Sequence, residues 1–286
     1  MIVFIIVIYK VKLSNCITLS SLLGSLETSC INSFRILVLD NSDGPCAQDK
    51  IDSKFDYVSF GANIGLARAY KYGVNYCRNI DAQFMVTLDQ DSLVTPAYIR
   101  SVFKYINIYA GHEIVLCPRI LCGDRKISPY SYSIMGTPNY TSSEKLHAIN
   151  SFTVYSVCTL VGSDIIDDFY WLDALDFSIF ENLYRNGIAV KVMDVEVQHN
   201  LSLLDFRISN ERLANIALYE AAFLFQYCNP VRCFAGTVRL ILRMHRRIRH
   251  TNRIRILLNI HRTILKGAST GLVRRLNKYM LLAQEK

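Results

Sequence analysis

Two carboxylates one residue apart, Asp89 and Asp91 in MVTLDQDSLVTP, stand where an apolar run stops. Side chains at i and i+2 of an extended segment point to one face, so the pair could converge on one hard cation of the kind oxygen ligands hold, Mg²⁺ or Mn²⁺. A strand-to-helix turn, in which Asp91 or Ser92 helps to cap the next helix, is the commoner use of such a triplet. Asp40 ends another apolar run, in RILVLDNSDGP; there a carboxylate can accept hydrogen bonds from a nucleobase or ribose, or simply close an Asx-type turn. In YWLDALDFSIFENLYRNG, Asp173 and Asp176 are three apart and so neighbours on one helical face. Leu172, Leu175, Ile179 and Leu183 take the other face, which equally describes an amphipathic helix whose acids meet water. His199, in VEVQHNLSLLD, follows a strand-like run; a single histidine is more often not a ligand, but imidazole can join two carboxylates on Mn²⁺. ANIGLARAYKYG has two glycines without either phosphate-loop pattern, and reads as a tight helix entry.

The elements that must position these groups alternate. Residues 2–8 are a short β-branched run, and 14–26 place Leu19, Leu22, Leu23 and Leu26 at helical spacing. Buried strands are expected at RILVLD, at YVSF (57–60), at 84–88 and at 113–117, with helices over 66–77 and after Pro96, which suits a first helical turn. Strands alternating with helices imply an α/β fold with a mainly parallel sheet between helical layers, whose ligand crevice lies beyond the carboxyl ends of the strands. Asp40 and Asp89 both stand at such ends. From 122 to 150, Ser, Tyr, Pro and Gly without period predict a long surface loop. Helical spacing resumes over 173–185, a strand follows at 188–195 and a helix at 210–228.

The 286 residues are 51% apolar with 6 prolines and 13 glycines, a globular composition. Nine cysteines, an odd number without a CxxC pair or clustered Cys/His spacing, argue for reduced thiols in a cytoplasmic setting. The opening MIVFIIVIYK lacks a basic leader and a small-residue cleavage site and is far shorter than the roughly 20 residues that span a bilayer, so it reads as a buried strand. The net charge of +8 is uneven: residues 221–284 carry 13 Lys/Arg and no acid, whereas residues 1–220 carry 18 Lys/Arg against 23 Asp/Glu.

In order along the chain, VLDNSD, NIGLARAYKYG, TLDQDS, LDALDFSIFENLYRNG and QHNLSLLDFRISNERLANIALYEAAF resemble a family 2 glycosyltransferase of the GT-A fold, in its rhamnosyltransferase-like branch. The resemblance spans roughly residues 2 to 228, so a glycosyltransferase domain over 1–228 and a basic helical extension over 229–286 are expected. It implies that Asp89 and Asp91 form the D-x-D motif for a divalent ion, Mg²⁺ or Mn²⁺, and the donor diphosphate. Asp40 matches the acid beside the nucleoside, Asn63 and Gly65 the N-x-G turn near the donor pocket, Asp176 the catalytic base, and His199 a metal-binding histidine. The implied reaction is inverting transfer of a sugar, rhamnose among the candidates, from a dTDP-, UDP- or GDP-sugar to a saccharide or lipid-linked oligosaccharide in bacterial-type surface polysaccharide synthesis.

Two departures stand out. The usual small T-S-G-S-L stretch is SVCTL, with Cys158 in place of glycine, and the D-x-E pattern reads Asp176-Phe177-Ser178, without its second acid; Asp173 is therefore an alternative base. In the basic tail, Ile241, Met244 and Ile248 recur at helical spacing with Arg239, Arg243, Arg246, Arg247 and His250 largely elsewhere on the wheel. This suits an amphipathic segment on an anionic membrane face, at the inner side of the plasma membrane, and equally a basic helical hairpin packed on the body. Charge alone would also suit nucleic acid, but no reader motif accompanies it, so no nucleic-acid partner is expected. The competing function class is a non-catalytic basic module that binds polyanions or membranes, with the acids merely solvated.

Overall fold

The β-branched opening run forms the middle of a sheet. In a computed structural model, which describes residues 1–31, 33–45, 54–133, 137–141, 145–161, 165–199, 209–247 and 253–284, β1 (Ile2–Ile8) is buried along nearly its whole length, as a parallel strand covered on both faces must be. A 3₁₀ turn (Leu13–Asn15) leads into α1 (Ile17–Thr28), and then come β2 (Phe34–Asp40), β3 (Asp56–Ser59), α2 (Leu66–Asn79), β4 (Phe84–Asp89), α3 (Pro96–Ile108) and β5 (Ile114–Cys122). These lie where the sequence placed them, within a few residues. Helix α3 shows why: the Thr95 hydroxyl accepts from the Tyr98 N–H at 3.2 Å, and Pro96 occupies the first turn, where its missing N–H costs nothing.

The chain continues through β6 (Arg125–Ser128), β7 (Ser131–Tyr132), β8 (Pro138–Asn139), β9 (Thr153–Ser156), α4 (Val157–Leu160), α5 (Leu175–Arg185) and β10 (Ala189–Gln198). The main sheet runs β10-β5-β9-β4-β1-β2-β3, with β6 on the later half of β5. Strands β1, β2, β3 and β4 are mutually parallel where they pair, as are β5 and β10; β9 is antiparallel to both β4 and β5. The chain reverses its direction of travel across the sheet at β1, which pairs with β2 on one side and β4 on the other. In that register Asp40 lies opposite Ile8, and Asp89 opposite Val7. Both acids therefore stand at the carboxyl ends of the strands flanking β1, at the switch point where open α/β sheets bind ligands.

The sequence reading needs correction in three places. Residues 122–150 are not a surface loop: they contain β6, β7 and β8, and Ser128, His147 and Asn150 are buried. Strand β9 was not anticipated at all. The helix expected from 173 begins only at Leu175, because Ala174 takes a left-handed conformation (φ 60°) that ends any helix preceding it. Asp173 therefore lies outside α5, and Leu172 is exposed rather than part of the core face.

Beyond β10 the described residues are helical: α6 (Asn210–Tyr227), α7 (Pro230–Arg247) and α8 (Arg253–Gln284). The chain divides into two compact units, Met1–Ser131 with Tyr140–Asn200, and Tyr132–Asn139 with Leu201–Lys286. The boundary expected at 228/229 falls between α6 and α7, inside the second unit. That unit has its own core of Leu213, Ile216, Ala217, Ala221, Leu240, Met244, Ile260 and Ile264. Helix α8 presses on α6 through two glycines: a Cβ at Gly267 or Gly271 would lie 2.3 Å from the carbonyl oxygen of Leu218 or Ala222 respectively. No helix among the described residues is long and apolar enough to cross a membrane.

Candidate active site

Strand β2 delivers Asp40 to the sheet edge fully buried. Its carboxylate accepts from the Ser42 N–H at 3.0 Å and from the Tyr57 hydroxyl, so the acid is fixed before any ligand arrives. The next residue ties this edge to the α2 entry. The Asn41 side chain donates to Asn63 Oδ1 at 2.9 Å and accepts from the Ile64 N–H at 2.8 Å, while Asn63 Oδ1 also accepts from the Gly65 N–H at 3.2 Å. Gly65 has φ 86°, and a Cβ there would stand 2.0 Å from the Trp171 indole. The Trp171 carbonyl in turn accepts from the Leu66 N–H at 2.8 Å. Only glycine meets both demands, the backbone angle and the close ring.

Strand β4 delivers Asp89 on the other side of β1. The turn that follows is held from outside itself. Ser151 Oγ accepts from the Asp89 N–H at 3.1 Å and lies 2.8 Å from Ser92 Oγ. Thr18 donates its hydroxyl to the Asp89 carbonyl and accepts from the Ser92 N–H at 2.8 Å. The two readings of the D-x-D triplet are thus compatible: backbone and Ser92 make the turn, and the carboxylates project from it. Asp91 is exposed and Asp89 partly so, whereas His199, just beyond β10, is buried.

These three side chains converge: one ligand atom from each of Asp89, Asp91 and His199 lies within 4.8 Å of the others. His199 Nε2 is 3.5 Å from Asp89 Oδ2, and its buried Nδ1 has no hydrogen-bond partner among the described residues. Burial alone would lower the imidazole pKa. The contact with Asp89 and the charges of Asp89, Asp91 and Asp176 outweigh it and raise the pKa instead. A site that draws a proton onto a buried histidine is one where positive charge is wanted. Two carboxylates suit Mg²⁺ or Mn²⁺, and the added imidazole favours Mn²⁺ of the two, so these residues fit such an ion.

Asp176 opens α5 and faces the same cluster. Burial, then the negative charge of Asp89, pushes its carboxyl up to about 7; the backbone amide of Asn150 and the charge of His199 pull it part of the way back, and Asp173 adds to the rise. The acids are therefore not a solvated helix face. Around Asp176 stand Tyr70 and Tyr155, both fully buried, with phenol pKa values raised well above the usual range by burial and then by neighbouring negative charge. Both rings stay neutral. Tyr155 donates to Asn150 Oδ1 at 2.6 Å, and Asn150 Nδ2 is buried without a hydrogen-bond partner among the described residues.

No family model matches the chain. It is 25% identical over 211 residues to the dTDP-rhamnosyl transferase RfbF of Shigella flexneri, covering 68% of this chain and 67% of that protein. Its fold superposes on residues 1–349 of S. aureus TarS crystallised with UDP, at a TM-score of 0.53 and 13% identity over 98% of this chain and 92% of that one. GalNAc-T7, crystallised with UDP, GalNAc and Mn²⁺, superposes at a TM-score of 0.56 and 10% identity over 91% of this chain and 54% of that one. The fold is that of the GT-A glycosyltransferases, and the similarity to RfbF supports a family 2 glycosyltransferase. The chain spans about half the length of the longer TarS chain, 54%, and the same share of GalNAc-T7.

The residues singled out from sequence fall into two groups: Asp40, Asn63 and Gly65 at the β2 side, and Asp89, Asp91, His199, Asp176 and Asp173 at the β4 side. Several residues that shape the site went unnoticed in the sequence: Tyr70, Asn150, Ser151, Tyr155 and Trp171. Tyr70 lies in NIGLARAYKYG without any polar signature. Asn150 and Ser151 belong to the stretch misread as a loop, and their part depends on β9, whose pairing is not local. Cys158, where the family stretch has glycine, lies in α4 with its thiol exposed.

Proposed function

We propose that the transferase moves a sugar with inversion from a nucleoside-diphosphate sugar to a hydroxyl of a saccharide or lipid-linked acceptor, with Asp176 as the base. One observation carries this reading: a carboxylate held near pKa 7 stands beside, and feels the charge of, an acid cluster suited to a divalent ion. Asp89, Asp91 and His199 would hold Mg²⁺ or Mn²⁺, which supplies positive charge against the negative charge that develops on the departing diphosphate. Asp40 and the Asn41–Asn63 link receive the nucleoside end, and Gly65 keeps the backbone close to the donor. Asp176 accepts the proton of the attacking hydroxyl, a role suited to a base whose pKa lies near the working pH. Asp173, 8% exposed and outside the helix, is the second candidate for that proton. A single displacement with an oxocarbenium-like transition state inverts the anomeric carbon.

The donor reading is dTDP-rhamnose first, because RfbF is named a dTDP-rhamnosyl transferase. UDP-sugars come second, because TarS was crystallised with UDP and with UDP-GlcNAc. The setting proposed is the cytoplasmic side of the membrane in surface polysaccharide synthesis. A non-catalytic module would leave its acids in water; here Asp40 and Asp173 are buried, and the partly exposed Asp89 lies against the buried His199.

The reading is tested by incubating the protein with dTDP-rhamnose or a UDP-hexose, Mn²⁺ and a saccharide acceptor, and following the anomeric proton of the product by NMR. Transfer with the opposite anomeric configuration is expected. Transfer with retained configuration would remove Asp176 from the role of base in a single displacement.

A further inference from the structure

The site described above uses none of the basic residues of the C-terminal helices. On α7, Leu240 and Met244 are buried in the second unit's core, and the opposite face is apolar too: Val231, Phe234, Val238 and Leu242 follow one another at helical spacing and are exposed, Phe234 by 74%. At 100° per residue, Arg239, Arg243 and Arg246 form a row along one margin of that stripe. Helix α8 repeats the pattern. Leu258, Leu265, Leu272, Leu276 and Met280 are exposed along one face, with Arg262 and Lys266 beside them, while Ile260 and Ile264 are buried.

We infer that the apolar stripe of α7, with its arginine margin, is the surface by which this protein lies on an anionic lipid bilayer. A helix needs only one apolar face to pack on its own unit, so a second, outward apolar stripe requires another occupant. Charge decides which one. Residues 221–284 contain 13 Lys/Arg and no acid; Glu220 pairs with Arg243, but a second copy of this chain would still bring two faces of net positive charge together. On α8 a self-pairing seam would also have to bury Arg262 and Ser269, which share the face of Leu265 and Leu272. A bilayer rich in phosphate headgroups meets both features at once: the stripe enters the acyl boundary, and the arginines stay at the headgroups. The helix then lies in the interface plane, consistent with the absence of any described helix able to span.

The test is flotation of the full-length protein with vesicles of phosphatidylcholine alone and of phosphatidylcholine with phosphatidylglycerol, at low and high salt. Binding to the anionic vesicles, weakened by salt, is expected, with little on the neutral ones. The double variant Phe234→Ser/Leu242→Ser should bind at least tenfold more weakly, and Arg246→Ala roughly fivefold more weakly. All three substitutions are on the exposed face, so unchanged thermal unfolding and unchanged transfer to a soluble acceptor are expected. Equal binding to neutral and anionic vesicles, or full binding by the double variant, overturns the inference. So does a concentration-dependent dimer in light scattering that the double variant abolishes, since the occupant of the stripe is then a second copy.

Discussion

The two compact units place their charge by opposite means. In the first, a few acids are delivered to one end of the sheet by strand ends and kept there by hydrogen bonds with distant segments, Thr18, Ser151 and Tyr57 among them. In the second, many basic residues are spread along helix faces; some, such as Arg243 with Glu220 and Arg274 with Gln226, are paired, but they do not converge on one point. Charge at a point supports chemistry, because a pKa can be tuned there; charge over a surface supports adhesion, because contributions add. Substitutions should therefore be abrupt in the first unit and graded in the second.

The largest effect is expected at the paired acids. Asp89→Ala should abolish measurable sugar transfer while thermal unfolding stays cooperative, because it removes the carboxylate in contact with His199. Asp176→Asn should lower kcat by about 10²–10⁴-fold, the range for loss of a general base, with nucleoside-diphosphate binding retained; a variant that keeps wild-type kcat would move the role to Asp173. Next in size is Gly65→Ala, where φ 86° and the indole 2.0 Å from the new Cβ combine. A loss of about 1–3 kcal/mol of stability is expected by denaturant unfolding.

A smaller effect sharpens what burial does to Asp176. Its folded-state pKa is raised, to about 7 from an ordinary value of 3.8. The protonated form is therefore favoured by folding: that contribution is full below about pH 4 and is lost as pH rises through about 7. Without divalent ions, Asp176→Asn should melt higher than wild type at pH 8 and at the same temperature near pH 4, read by scanning calorimetry. Adding Mn²⁺ should shrink the difference at pH 8, because neutralising Asp89 removes the second-largest cause of the shift. The smallest single effects are those of individual arginines on α7, Arg246→Ala among them, in vesicle flotation.

Much of the first unit was legible because its signals are local. Continuous apolar runs gave β1, β2 and β4, helical spacing gave α1 and α2, and Thr95-Pro96 marked the start of α3. Asp40 and Asp89 were recognisable as strand-end acids for the same reason. What stayed hidden depends on distant pairing. Strand β9 inserts antiparallel between β4 and β5, and nothing in FTVYS announces its partners; with it were lost Asn150, Ser151 and Tyr155. The start of α5 was misjudged because alanine seldom adopts the left-handed conformation that Ala174 takes. In the second unit the basic, amphipathic character was plain, but the outward stripe was not: the sequence pointed to Ile241, Met244 and Ile248, of which Met244 is buried and Ile248 lies outside the described residues, while Phe234 and Leu242 face out.

The central claim is that the acids at the β4 edge and His199 form a cation site that serves the donor diphosphate. The most direct measurement is calorimetric titration of dTDP and UDP into the protein with and without Mn²⁺, on wild type and Asp89→Ala. At least tenfold tighter binding with Mn²⁺ is predicted for wild type, and no dependence on Mn²⁺ for the variant. Equal affinity in wild type with and without the ion, or an undiminished Mn²⁺ effect in Asp89→Ala, would contradict the account.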